Sequence, residues 1–368
     1  MIPVARPLFG EREQAAVAAV LHTGQVAQGQ QVEEFERRFA QVCQVADAVA
    51  VSSGTAALYL ALLAHEIGPG DEVITTPFSF AATANTILLT GATPVFVDIE
   101  PDTYTLDPAL VEAAITAQTK AIMPVHLYGH PANMPRLLQI AQKHHLLIIE
   151  DACQAHAASI EGRPVGSFGT GCFSFYATKN ITTGEGGMVT TNDPLIARRV
   201  RLLRSHGQQE RYRHVALGHN LRMTELQGAL GLIQLERLAA LTEQRRANAA
   251  FLTQHLTGKI QTPVERAGYR HVYHQYTLRV PQRRDTWMQQ LREKGVATAV
   301  HYPLPIHRQP FYQEQCTLWR AVSADSSTAS VLPVAEQAAR EVLSLPVHPA
   351  LSTDDLHTIV REVMSLCG

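Results

Sequence analysis

Hydrophobic and polar positions change period many times along the first half of the chain. After an N-terminal arm, "QVEEFERRFAQVC" reads as a helix. The short apolar run 48–51 then reads as a strand, 55–66 as a helix of good formers, "GPGDE" as a turn and "EVITT" as a second strand. The same alternation continues through "AATANTILLTG" (helix), "TPVFVDI" (strand), "DPALVEAAIT" (helix), "KAIMPVH" (strand), "NMPRLLQIAQKHH" (helix) and "LLIIED" (strand). Short β-rich runs alternating with helices over more than a hundred residues predict an α/β fold. Its core is a mostly parallel sheet with helices on both faces. Residues 191–250 turn helical, ending in a run long enough to link two domains. Residues 251–368 hold fewer, more irregular elements and predict a smaller α+β domain. The expected division is therefore 1–245, arm and large domain, and 246–368, small domain.

Composition narrows the function classes. The 368 residues are 46% hydrophobic and 17% charged with a net charge of -2, so neither nucleic acid nor an anionic membrane surface is indicated. No apolar run is long enough to cross a bilayer, and "MIPVARPLFGERE" lacks the pattern of a signal peptide, so a cytoplasmic protein is expected. Five scattered cysteines (43, 153, 172, 316, 367), with no CxxC, read as reduced thiols. Histidines 126 and 130 are four apart, but Gly129 and Pro131 break any helix there, and no metal site is expected. Only five of the 31 basic residues are lysine, at 120, 143, 179, 259 and 294. A lysine in an unusual setting is therefore informative.

Three short stretches form a chemical set. In "VAVSSGTAALYL" a strand ends, Gly54 turns the chain and a helix starts, leaving free N–H groups and a positive dipole end suited to phosphate; the Thr55 hydroxyl adds a donor. In "LLIIEDACQAH", Asp151 follows an apolar strand, at the end where open sheets bind ligands, and it is equally suited to be a helix N-cap. Gln154 is a reciprocal cap or a ligand contact. In "SFYATKNITTGEGG", Lys179 stands before a glycine-rich turn that lets the backbone approach something closely. A phosphate cradle, a carboxylate and an amine, in this order, are what pyridoxal phosphate needs: a phosphate site, a partner for the ring nitrogen and a Schiff-base donor.

With these stretches in place, the chain resembles the fold-type-I pyridoxal-phosphate enzymes, and among them the sugar aminotransferases of the DegT/DnrJ/EryC1/StrS family. The likeness runs over nearly the whole chain, through "VSSGTAAL", "GPGDEVITTPFSFAATAN", "EDACQAHAA", "FSFYATKNITTGEGGMVTTND", "GHNLRMTELQGALGL" and "HYPLPIHRQPFY". It implies a large, mostly parallel sheet of the seven-stranded type and a small C-terminal α+β domain. It also implies that Lys179 is the Schiff-base lysine, Asp151 the partner of the pyridine nitrogen, Phe80 the stacking aromatic and Gln154 the neighbour of the phenolic oxygen. Gly54, Thr55 and Ser174 become phosphate contacts. Asn220 becomes a contact to the neighbouring subunit's cofactor, which implies a homodimer with shared sites. Glutamate is the implied amino donor, a nucleotide-linked ketosugar the acceptor, and pyridoxamine phosphate the intermediate cofactor form.

Two cues bear on the ketone position. "AVHYPLPIHRQPFY" puts His301, Tyr302 and His307 in one loop, with Arg222 a further candidate for the substrate; this loop is similar to that of members acting on 3-keto sugars. "KNITTGEGGMV", with Glu185, is more similar to members acting on 4-keto sugars. The expectation is transfer to C3, with C4 as the alternative. A sugar dehydratase or a non-catalytic cofactor-binding protein on the same scaffold are the rival classes; relatives that dehydrate carry histidine at the lysine position.

Overall fold

The computed structural model describes residues 1–322 and 331–367. Helices α1 (Glu11–Thr23) and α2 (Gln30–Cys43) precede a βα series: β1 (Asp47–Val51), α3 (Gly54–Ala64), β2 (Glu72–Thr75), α4 (Ala82–Leu89), β3 (Thr93–Val97), α5 (Pro108–Ala114), β4 (Thr119–Met123), α6 (Met134–His144) and β5 (Leu147–Asp151). After them come β6 (Thr170–Ser174), β7 (Gly187–Thr191), α7 (Pro194–Leu203) and the long α8 (Glu225–Leu256). The remainder comprises β8 (Tyr276–Arg279), α9 (Arg284–Glu293), α10 (Pro310–Glu314), β9 (Arg320–Val322), α11 (Pro333–Glu341), β10 (Val342–Leu345) and α12 (Thr353–Met364).

The main sheet has the order β1-β7-β6-β5-β4-β2-β3-β9. Strand β7 runs antiparallel to both neighbours, and every other pair is parallel. Strands β6 and β7 are buried along their whole length, as strands covered by helices on both faces must be. The sheet has eight strands where seven were expected. The eighth, β9, is supplied by the C-terminal third and pairs with β3 in parallel. Its Arg320 forks onto the Glu72 carboxylate at the start of β2, with contacts of 2.6 and 2.7 Å. A three-residue strand, "RAV", carries no periodicity from which its pairing could be read.

Helix α8 passes between two cores. Leu232, Leu235, Leu238 and Leu241 pack with Phe35, Phe39, Phe173 and Phe175 against the main sheet. Ala249, Leu252 and Leu256 pack with Tyr276, Leu291, Leu345 and Ile359 around the antiparallel pair β8–β10. The position expected as the boundary, 245, lies inside this helix. The C-terminal part is not confined to the second core. Ile306, Tyr312 and α11 pack on Phe78 and Phe96 of the large unit, and Ile2 of the arm bridges to Val296.

Two carboxylates fix α2, the helix beneath the site. Glu225 accepts from the N–H groups of Gly29 (2.7 Å), Gln31 (2.8 Å) and Val32 (3.0 Å), capping α2 from the first residue of α8. Glu36 accepts from Ala50 N (2.8 Å) and pairs with buried Arg204 at 2.5 Å.

Candidate active site

Parallel strands deliver their C-terminal ends to one edge of the sheet, and a cavity of about 540 Å³ opens there. Gly54, Thr55, Phe80, Asp151, Gln154, Ser174, Lys179, His301 and Tyr302 all line it. Residues far apart in sequence thus meet at one cavity.

The first turn of α3 forms one wall. Ser53 caps the helix by accepting from Ala56 N at 3.1 Å, which leaves the first N–H groups beside it facing the cavity rim. Only glycine fits at 54: a Cβ there would lie 2.6 Å from Ser174 Cβ and 3.0 Å from Cys153 Sγ. Strand β7 closes in from the other side, where a Cβ on Gly187 would sit 2.2 Å from the Ser53 carbonyl oxygen. This identifies what the last glycine of "TGEGG" approaches: the backbone of the Ser53–Gly54 turn.

Asp151 ends β5 and is not a helix N-cap. Its Oδ2 accepts from Thr83 Oγ1 (2.8 Å) and its Oδ1 from Cys153 N (3.2 Å). Gln154 is fully engaged within the protein, accepting from Tyr128 N (2.8 Å) and donating to Tyr302 Oη (3.0 Å). It thereby orients the one phenol of the HYP loop that faces the cavity. The Phe80 ring is 60% exposed at the mouth, 6.2 Å from the Tyr302 ring.

Lys179 sits in the loop between β6 and β7, which is closed by Phe175 N to Gly186 O (2.8 Å) and Thr183 N to Phe175 O (3.0 Å). Burial strips water from its ammonium and moves its pKa below the usual lysine value, against the pull of Cys153 and Asp151. His301 is lowered to about 4 by burial and then by the Lys179 charge, so at neutral pH it presents a neutral ring. His274, another wall of the cavity, is pushed well below its ordinary value for the same two reasons.

Two contacts expected at this cavity, His307 and Arg222, lie elsewhere, as does Asn220, which was expected at the neighbouring subunit's cofactor. His307 is a correction to the sequence reading: it is buried beneath Phe96 and Trp319, with Nε2 3.0 Å from Glu336, and does not line the cavity. The turn Ile306–Arg308, pinned by Ile306 N to Pro77 O at 2.8 Å, carries it inward as a strut of the loop. Asn220 and Arg222 also do not line the cavity. They flank Leu221, whose carbonyl accepts from Ser52 N at 2.8 Å, so their backbone abuts the α3 turn while the Asn220 side chain is exposed. Of the histidines spaced four apart, His126 pairs with buried Glu150 at 3.0 Å and His130 faces the Pro131 carbonyl at 2.7 Å. Among the described residues no cluster could hold a metal.

Sequence reasoning missed Thr83, Cys153, Tyr176 and His274, all of which line the cavity. Thr83 carried a legible signal: it lies three residues after Phe80, one turn on at the start of α4. His274 carried none, because it is brought in from the region preceding β8.

These groups fit pyridoxal phosphate. The glycine-only turn of α3 suits a phosphate, the doubly anchored Asp151 a cationic ring nitrogen, the exposed Phe80 face an aromatic ring, and the buried Lys179 amine a carbonyl carbon. The chain is also similar along its length to several known proteins. It is 43% identical over 354 residues (95% of this chain, 92% of the relative) to UDP-N-acetyl-3-dehydro-alpha-D-glucosamine 3-aminotransferase of Acidithiobacillus ferrooxidans. It is 43% identical over 353 residues (95% and 90%) to dTDP-3-amino-3,4,6-trideoxy-alpha-D-glucose transaminase of Streptomyces venezuelae. A "pleiotropic regulatory protein" of Geobacillus stearothermophilus is 42% identical over 350 residues (94% and 91%). Among solved structures, S. venezuelae DesV superposes with a TM-score of 0.91 at 41% identity, covering 96% of this chain and 94% of that one. Site, fold and likeness agree with the family profile matched by residues 7–364, and the chain belongs to the DegT/DnrJ/EryC1/StrS aminotransferase family.

Proposed function

We propose that this protein is a pyridoxal-phosphate aminotransferase that moves an amino group from glutamate to C3 of a nucleotide-linked 3-keto sugar. The observation that carries the reading is a buried lysine of lowered pKa sharing one cavity with Asp151 and the glycine-only turn of α3. Pyridoxal phosphate, when bound, supplies a carbonyl and an electron-withdrawing ring that stabilises negative charge at the substrate carbon. The protein's part is positional and acid–base. The α3 turn with Ser174 would hold the phosphate, Asp151 would pair with the ring nitrogen, and Phe80 would lie against the ring. The Lys179 amine, its pKa lowered by burial, would take and return a proton at the substrate carbon. Neutral His301 and Tyr302, at the cavity wall, suit sugar hydroxyls as donors and acceptors.

The C3 reading is supported by the HYP loop, which reaches the cavity through His301 and Tyr302, and by the names of the two sugar-transaminase relatives. Glu185 also lines the cavity, so the stretch favouring C4 is present at the same site. We further infer a homodimer with composite sites. Leu217 (89% exposed) and Tyr212 project from the segment bearing Asn220, and Phe80 is itself exposed. Exposed apolar side chains of this kind suit a second copy, whose Asn220 would complete the phosphate site.

The test is spectroscopic and then chemical. The purified protein loaded with pyridoxal phosphate is expected to absorb in the visible, and glutamate to bleach the band. Lys179→Ala is expected to lack the band; an unchanged band would sink the assignment. NMR of the product from a panel of 3-keto and 4-keto nucleotide sugars fixes the carbon. A bleachable band with no amino sugar from any member would favour a regulatory role.

A further inference from the structure

Behind the loop that carries Lys179 lies a second, much smaller cavity. Its walls include Arg245 and Gln234 of α8, Arg6 of the arm, and Lys179, Asn180 and Thr182 of the loop. No aspartate or glutamate lines it. Arg245 is 5% exposed, and among the described residues its Nε has no acceptor and its guanidinium no carboxylate. Burial pushes its pKa down to about 10, with no partner to raise it. The contrast with Arg204 is direct: equally buried, it is paired with Glu36 at 2.5 Å. Glu13, which shares Gln234 with this region, is already taken by Arg237 at 2.5 Å and by Gln234 at 2.8 Å. A buried cation without a counter-charge is strongly disfavoured, and more so with a second guanidinium and a lysine in the same walls.

We propose that this cavity binds one small inorganic anion of halide size, held by Arg245 and closed over by Arg6. The free volume, about 10 Å³, takes roughly one water-sized sphere, so phosphate, glutamate and other multi-atom anions are excluded. The ion neutralises Arg245 and ties three elements together: the N-terminal arm, the middle of α8 and the back of the lysine loop. The charge and packing of these side chains call for the ion whichever sugar the protein takes.

Two measurements on the full-length protein decide it. Thermal unfolding in chloride or bromide, against gluconate at equal ionic strength, is expected to give a Tm a few degrees higher in halide, because a ligand that binds only the folded state stabilises it. Arg245→Met is expected to abolish the halide difference and Arg6→Met to shrink it. Should Arg245→Met not fold, Arg6→Met, which alters only an exposed arm residue, still gives the answer. Bromide-soaked crystals are expected to show an anomalous peak beside the Arg245 guanidinium. Identical melting in halide and gluconate overturns the proposal, even with a bromide peak at soaking concentration. So does a crystal structure in which a backbone carbonyl, or a carboxylate of a second subunit, meets Arg245 instead.

Discussion

At the residue scale, the site rests on contacts that anchor a few charged groups. Asp151 is held by Thr83 Oγ1 at 2.8 Å inside the protein. A hydrogen bond to a charged group contributes about 1.5–3 kcal/mol. Thr83→Val keeps the shape and removes the bond, so affinity for pyridoxal phosphate is expected to fall roughly tenfold or more. Absorbance titration of the apoprotein checks this, and unchanged affinity would show that Asp151 does not depend on Thr83. Gly54→Ala places a methyl group 2.6 Å from Ser174 Cβ, and is expected to abolish stable cofactor loading while Ser53→Ala weakens it only modestly. Lys179 and Asp151 were legible in the sequence because their types were unusual for their settings: a rare lysine before a glycine-rich turn, an acid after an apolar strand. His274 and Cys153 were not, since each matters only through what the fold brings against it. His307 was misread for the converse reason. A histidine two residues from Pro305 looks solvent-facing in sequence, and its inward turn depends on Pro77, Phe96 and Glu336, which no local pattern announces.

At the element scale, the loop between β6 and β7 and the helix α2 illustrate two kinds of support. The loop is held by its own backbone bonds, so "SFYATKNITTGEGG" was readable as a unit. Helix α2 is held at its start by Glu225, nearly two hundred residues away. Removing that carboxylate strands three amide groups. Glu225→Ala is therefore expected to lower the unfolding free energy by about 2–4 kcal/mol. The urea midpoint measures it, and a loss under half a kilocalorie would mean that water replaces the cap. The sequence showed a helix at 31–43 and a long helical run within 191–250, but nothing in either states that a residue of one caps the other. Strand β9 was illegible for a related reason. It is short, and its place at the sheet edge is fixed by the Arg320–Glu72 fork and the β3 partner rather than by its own pattern.

At the scale of the whole molecule, the alternation of strand and helix announced the layered sheet, because parallel strands covered on both faces must be short, apolar and separated by helices. What the alternation could not announce is how much titratable chemistry the layers bury. His130 is lowered to about 4 and His156 to about 3, both by loss of hydration first, and His271 and His274 lie well below the ordinary histidine value. In the unfolded chain each titrates near 6.5. Below that pH the unfolded state takes up protons that the folded state refuses, so stability contributed by these rings is complete above about pH 7. It is lost as pH falls toward 4, each ring costing up to about 1.4 kcal/mol per pH unit. Denaturant midpoints at pH 7.5, 6 and 5 are expected to fall steeply, and flat midpoints would contradict neutral burial. His156 isolates one ring. Among the described residues its nitrogens make no well-formed hydrogen bond, only a weak contact with the Ser174 backbone, and it packs among Phe39, Phe173 and Phe175. His156→Phe replaces it with an apolar ring in an aromatic cluster, so the folded state loses at most the weak Ser174 contact and the unfolded state loses one proton site. The variant is expected to remain folded at neutral pH and to shed about one proton's worth of the acid slope. An unchanged slope would place the acid sensitivity elsewhere in the chain.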